Sequence, residues 1–93
     1  MLLAGCGGDA VSTPTNRACP ATDPADRVEI TTVRAELLLG YREVDAQRCA
    51  TELGWAYRVG RRDGESFALT MDYSAQRVTV EIDDDIVTLI AVG

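Results

Sequence analysis

The fold is decided by the stretch Arg77-Val78-Thr79-Val80-Glu81-Ile82-Asp83-Asp84-Asp85-Ile86-Val87-Thr88-Leu89-Ile90-Ala91-Val92. Apolar and polar residues alternate through its first part, which predicts a strand with Val78, Val80 and Ile82 facing a core. The three consecutive acids that follow are typical of a turn. The β-branched residues after them predict a closing strand. Residues 77–92 therefore predict two neighbouring strands joined by a tight turn.

Upstream of this stretch, the sequence predicts one helix and one further strand. The apolar residues of segment 42–53 fall at i, i+3, i+4 and i+7, on one face of a helix: Ala46, Cys49, Ala50 and Leu53. Gly54 follows, as expected of a residue that ends a helix. Residues 55–61 alternate again and place Trp55 and Tyr57 on the buried side of a strand.

The order of these elements predicts the fold class. Residues 28–33 are β-branched and favour a short edge strand, although a helix continuing to Leu39 fits nearly as well. A loop from 63 to about 73 separates two strands, which would be parallel neighbours if the connection crosses over the sheet. We predict an α+β domain in which one helix packs on a small mixed β-sheet with a long exposed loop.

Composition excludes several classes of function. The chain has 93 residues, which suffices for one domain, and its formal charge is -6. It has no histidine, and all nine basic residues are arginine. We therefore expect no nucleic-acid partner, because phosphate binding needs a basic face. The lack of histidine also argues against an enzyme, and we expect no catalytic residues, no cofactor and no metal site. The protein is expected to be a monomer.

The N-terminus contains a candidate export signal. Leu3-Ala4-Gly5-Cys6 matches the lipobox of bacterial lipoproteins, in which the cysteine is lipidated. We interpret residues 1–6 as a truncated lipoprotein signal, 7–26 as a flexible tether and 27–93 as the folded domain. Lipidated Cys6 would hold an exported protein at the outer face of a membrane, and a secreted protein is the alternative. A chance apolar start with an ordinary thiol explains the same residues.

Two further cysteines remain once Cys6 is lipidated. Cys19 and Cys49 are a candidate disulfide, which an exported protein permits. It would join the N-terminal segment to the helix. The alternative is a buried, apolar Cys49 on the helix stripe with Cys19 free.

The loop is the candidate functional site. Its central residues are Leu69, Thr70, Met71, Asp72 and Tyr73. A substrate-like protease inhibitor needs a side chain for the specificity pocket and a rigid backbone around it. Met71 suits an apolar pocket, and the guanidinium of Arg77 can hold Asp72 or loop carbonyls from below. A plain polar loop is the competing interpretation.

These residues resemble a known family. Thr70-Met71-Asp72-Tyr73, Arg77-Val78, Val80 and Asp83 are similar to the pattern of the potato inhibitor I family of serine protease inhibitors. Leu38-Leu39-Gly40, Ala46 and Ala91-Val92-Gly93 match it elsewhere. The resemblance is closest to the bacterial and fungal branch called peptidase inhibitor family seventy-eight.

The resemblance implies a role for the loop residues. It makes Met71–Asp72 the reactive bond and Arg77 a brace, with a target protease of the subtilisin, chymotrypsin or elastase type. Thr79 stands where the plant family has a second bracing arginine, which implies a weaker brace. The alternative function is a non-inhibitory cell-surface interaction module of the same fold. Arg58, Arg61 and Arg62 form a basic cluster beside the loop, either steering toward acidic protease surfaces or simply solvated.

Overall fold

The computed structural model describes residues 17–93. Cys6, the signal at 1–6 and the first part of the tether lie outside this range. Within these residues there are two α-helices, α1 (Thr32–Ala35) and α2 (Glu43–Leu53), and short 3-10 helices at Pro24–Arg27 and Glu36–Leu38. The strands are β1 (Ala56–Arg62), β2 (Glu65–Ser66), β3 (Arg77–Asp83) and β4 (Ile86–Val92).

The strands form one mixed sheet in the order β2-β1-β3-β4. The central strands β1 and β3 are parallel, with Tyr57 opposite Val78 and Val59 opposite Val80. Strand β4 pairs antiparallel with β3, and β2 pairs antiparallel with β1. The predicted α+β class is confirmed, although in residues 17–93 two α-helices pack on the small mixed sheet and not the one predicted. A parallel pair requires the chain to cross over between β1 and β3, so the connecting residues return from the end of β1 to the start of β3.

The core lies between α2 and one face of the sheet. Val78, Val80 and Ile82 are buried, as their alternation predicts. The apolar stripe of α2 is buried against them and consists of Ala46, Cys49, Ala50 and Leu53. Gly54 ends the helix with φ +80°, a left-handed conformation that costs glycine little.

The edge strand predicted at 28–33 is wrong. The Thr31 side chain accepts a hydrogen bond from the backbone N–H of Arg34 at 3.2 Å and so begins α1. Before it, the Ile30 N–H donates to Ala75 at 2.9 Å. Local capping by threonine therefore overrides the β-propensity of this segment. The helical alternative was closer, although α1 gives way to a 3-10 turn.

The sequence pattern also missed strand β2. Asp63 and Gly64 both have positive φ, at +50° and +83°. This two-residue turn reverses the chain, so that Glu65 pairs with Arg62 and Ser66 with Arg61. The sequence predicts a loop that begins at Asp63, and the hairpin shortens that loop.

Part of the segment interpreted as a tether packs on the domain. Cys19 forms a disulfide with Cys49 of α2. The hydroxyl of Tyr41 donates to the carbonyl of Ala18 at 2.8 Å. Residues 17–26 are therefore part of the folded domain, because the disulfide and the buried side chain of Asp26 attach them to it.

Asp26 is the charged group that fixes this segment. The residue is 5% exposed, and its carboxylate accepts two hydrogen bonds from Arg34, at 3.3 and 3.0 Å. It also accepts one from the indole Nε1 of Trp55 at 2.9 Å. The bonds from Arg34 and Trp55 outweigh burial and lower the pKa of Asp26 below its usual value.

This lowered pKa makes the fold sensitive to acid. A carboxylate whose pKa is depressed by folding stabilises the protein above its unfolded pKa of about 3.9, and that stability is lost as pH falls through the folded pKa. We expect the free energy of unfolding, measured in urea, to fall more steeply below pH about 4 for the native chain than for Asp26→Asn. If the free energy of unfolding fell equally with pH in both chains, the ionisation of Asp26 would not be the cause of the acid sensitivity.

Candidate functional site

The candidate site is the connection between β2 and β3. Residues 67–76 contain no helix and no strand. The side chain of Met71 is 99% exposed, and Tyr73 is 64% exposed. Met71 is therefore the most exposed of the large apolar residues in this connection.

Arg77 supports the loop from the first position of β3. Its guanidinium donates from Nη2 to the backbone carbonyl of Asp72 and from Nη1 to the Asp72 carboxylate at 3.3 Å. The Arg77 side chain is 15% exposed, whereas that of Asp72 is 65% exposed. A largely buried cation thus holds both the backbone and the side chain of the residue that follows Met71.

The charge of Asp72 fits this arrangement. Hydrogen bonding to Thr70 is the largest cause of a lowered Asp72 pKa, and the hydrogen bond from Arg77 adds to it. The carboxylate is therefore ionised across the neutral pH range. Its solvent exposure screens the charge, so its contribution is to position the loop rather than to stabilise the fold.

Arg58, one of the three arginines of the predicted basic cluster, is a second support of the loop. It lies on β1 and donates from Nη1 to the hydroxyl of Thr70 at 3.0 Å. Its Nε donates to the hydroxyl of Thr79 at 2.8 Å. The Thr79 hydroxyl in turn donates to the Gly93 carbonyl at 2.7 Å. Thr79 thus orients Arg58, and Arg58 reaches the residue that precedes Met71.

The register of the sheet explains why Arg58 and Thr79 meet. They are directly paired across the parallel strands β1 and β3. Both face away from the core, since Val78 and Val80 on either side of Thr79 are buried. The pairing could have been found from sequence only by aligning the two predicted strands, and the sequence gives no signal for that register.

Apolar contacts hold the loop on either side of Met71. A methyl group on Gly60 would lie 3.3 Å from Leu69 Cδ1 and 3.1 Å from Thr79 Cγ2, so the missing side chain lets Leu69 sit on the sheet. Tyr73 lies against Gly93, where an added methyl group would be 3.1 Å from its ring. The predicted loop residues Leu69 and Tyr73 therefore rest on the domain while Met71 points into solvent.

The base of the loop is tied to α2. Arg62, at the end of β1, donates from Nε to the carboxylate of Glu43 at 3.1 Å and makes a second, shorter contact with it. The Arg62 guanidinium also lies 5.5 Å from the ring centroid of Phe67. Of the basic cluster, Arg58 and Arg62 thus have structural partners, which the solvated interpretation did not foresee.

Within residues 17–93, no group of three or more histidine, cysteine, aspartate or glutamate side chains is arranged to hold a metal ion. Over the same range, no helix is long and apolar enough to cross a membrane. Comparison with protein-family models, with curated proteins and with solved structures finds no match to this chain.

Proposed function

We propose that this protein is a substrate-like inhibitor of serine endopeptidases, with Met71–Asp72 as its reactive bond. The observation that carries the proposal is the combination of a fully exposed Met71 with hydrogen-bonded neighbours on each side. Thr70 is held by Arg58, and Asp72 is held by Arg77. A protease can reach Met71 without displacing either support.

The two supports favour inhibition over digestion. Cleavage of Met71–Asp72 would create a new N-terminus at Asp72, whose carbonyl and carboxylate remain bonded to Arg77. The other new end would remain attached through Thr70 and Arg58. The amine then stays close to the acyl group, and high effective concentration favours resynthesis of the bond over release.

Rigidity also lowers the cost of binding. Leu69 and Tyr73 rest on the body of the domain, so the loop loses little conformational entropy when it enters a protease cleft. Met71 is unbranched and apolar, which suits the hydrophobic specificity pockets of subtilisin, chymotrypsin and elastase. These physical features agree with the resemblance to the potato inhibitor I family.

A titration tests the proposal. Increasing amounts of the chain are incubated with subtilisin, chymotrypsin and elastase, and residual activity is measured alongside mass spectrometry of the mixture. The proposal expects stoichiometric inhibition of at least one protease, with slow and partial cleavage between Met71 and Asp72. Rapid and complete cleavage there, or no inhibition of any of the three, would contradict it.

Arg58 gives a prediction specific to this chain. Arg58→Ala removes the hydrogen bond to Thr70, which we expect to weaken inhibition about fivefold and to speed cleavage of Met71–Asp72. Arg61→Ala is the matched control, because it removes the same charge from an exposed position on the same strand. Inhibition constants and cleavage rates for both variants check this. Equal effects would indicate a role for net charge rather than for support.

We further propose that the protein is exported and anchored through Cys6. The Cys19–Cys49 disulfide supports export, since disulfides persist in oxidising compartments. Expression in bacteria behind a complete lipoprotein signal, in the presence of a labelled fatty acid, tests the anchor: label retained by the chain with Cys6 and absent from Cys6→Ala supports lipidation. Equal labelling of both chains, or of neither, would contradict it.

A further inference from the structure

Met71 carries the one sulfur atom within residues 17–93 that is both reduced and open to solvent. Its side chain is 99% exposed. The two described cysteines are joined in a disulfide, and Cys49 is fully buried. Trp55, the other oxidation-sensitive side chain in this range, is 5% exposed and hydrogen-bonded to Asp26.

We propose that Met71 is an oxidation site at which hydrogen peroxide switches inhibition off. This inference rests on the proposed function, because it concerns the residue that enters the specificity pocket. A lone pair of the thioether sulfur attacks one peroxide oxygen, the O–O bond breaks, and an S–O bond forms. The departing hydroxide takes up the proton of the transferred oxygen and leaves as water. Sulfur is oxidised by two electrons and peroxide is reduced by two.

The sulfoxide changes recognition without removing the supports of the loop. Arg77 holds the carbonyl and carboxylate of Asp72, and Arg58 holds the hydroxyl of Thr70. None of these bonds uses the Met71 side chain. Oxidation therefore leaves the loop in place and replaces an apolar side chain by one with a strong hydrogen-bond acceptor.

An apolar specificity pocket cannot satisfy that acceptor. Burying a polar group without a hydrogen-bond partner lowers the binding affinity by about tenfold or more. The same burial protects the native chain, because Met71 inside a pocket is closed to peroxide. A preformed complex with protease is thus expected to oxidise at Met71 more slowly than the free inhibitor.

The test uses the whole chain and a protease that it inhibits. The chain is treated with hydrogen peroxide, the added oxygen is located by peptide mass spectrometry, and the inhibition constant is compared before and after. We expect sulfoxide at Met71, a rise of about tenfold or more in the inhibition constant, and slower oxidation in the complex. Met71→Leu is the matched variant: its inhibition constant, whatever its starting value, is expected to be unchanged by peroxide.

The outcomes separate the two proposals. Inhibition that survives complete conversion of Met71 to the sulfoxide would overturn the oxidation switch and leave the inhibitor proposal standing. Equal loss of inhibition by Met71→Leu would also overturn the switch, since oxidation elsewhere would then be responsible. No inhibition before peroxide is added would instead overturn the proposed function, and the switch with it.

Discussion

Met71→Asp is expected to weaken inhibition by at least about 100-fold. The substitution replaces an apolar side chain by a carboxylate, and an apolar specificity pocket offers that charge no partner. Met71 is fully exposed and supports no other residue, so the free energy of unfolding should stay within about 0.5 kcal/mol of the native value. Inhibition constants and urea unfolding of the same preparation measure both.

Val44→Asp is the matched control for this prediction. Val44 is also exposed, at 53%, and lies in the first turn of α2, where an added acid complements the helix dipole. The control introduces the same charge away from the loop and should inhibit like the native chain. Undiminished inhibition by Met71→Asp would mean that Met71 does not enter the specificity pocket and that another surface contacts the protease.

Asp26→Ala is expected to destabilise the domain by about 3 kcal/mol. The substitution leaves the guanidinium of Arg34 and the indole N–H of Trp55 without the acceptor that both share. Removing one partner of a buried ion pair is costly, because the remaining charge stays desolvated. For a domain of this size the loss corresponds to a fall in Tm of roughly 15 °C, which calorimetry can measure.

Glu52→Ala serves as the control for Asp26→Ala. Glu52 also accepts from an arginine, Arg48 at 3.2 Å, but its side chain is 57% exposed. Removing an exposed pair is expected to change the free energy of unfolding by less than about 0.5 kcal/mol. A similar loss in both variants would mean that charge, rather than burial of the Asp26 pair, determines stability.

Sequence periodicity predicted the C-terminal elements of the fold more accurately than the segment at 28–33. Periodicity alone placed α2, β3 and β4 to within a residue or two, because each has one buried face with a regular repeat. The segment at 28–33 has β-branched residues that favour a strand, but its Thr31 side chain caps a helix. The capping bond of Thr31 decides the outcome, and propensity tables do not contain it.

The candidate site shows a similar division. The contact between Arg77 and Asp72 joins residues only five positions apart, at one end of the loop, and is therefore within reach of sequence reasoning. The support from Arg58 is not, because Arg58 is 12 positions before Thr70 and belongs to another strand. Only the parallel pairing of β1 with β3 brings them together.

By itself, the sequence determined the class of the fold and the helix and strands with regular apolar periodicity. These properties depend on the local chemistry of neighbouring residues. The tertiary structure alone decided the register of β1 on β3, the contact of Arg58 with Thr70 and the buried position of Asp26. Each of these joins residues distant in sequence, and such contacts depend on how whole elements pack, which no local pattern records.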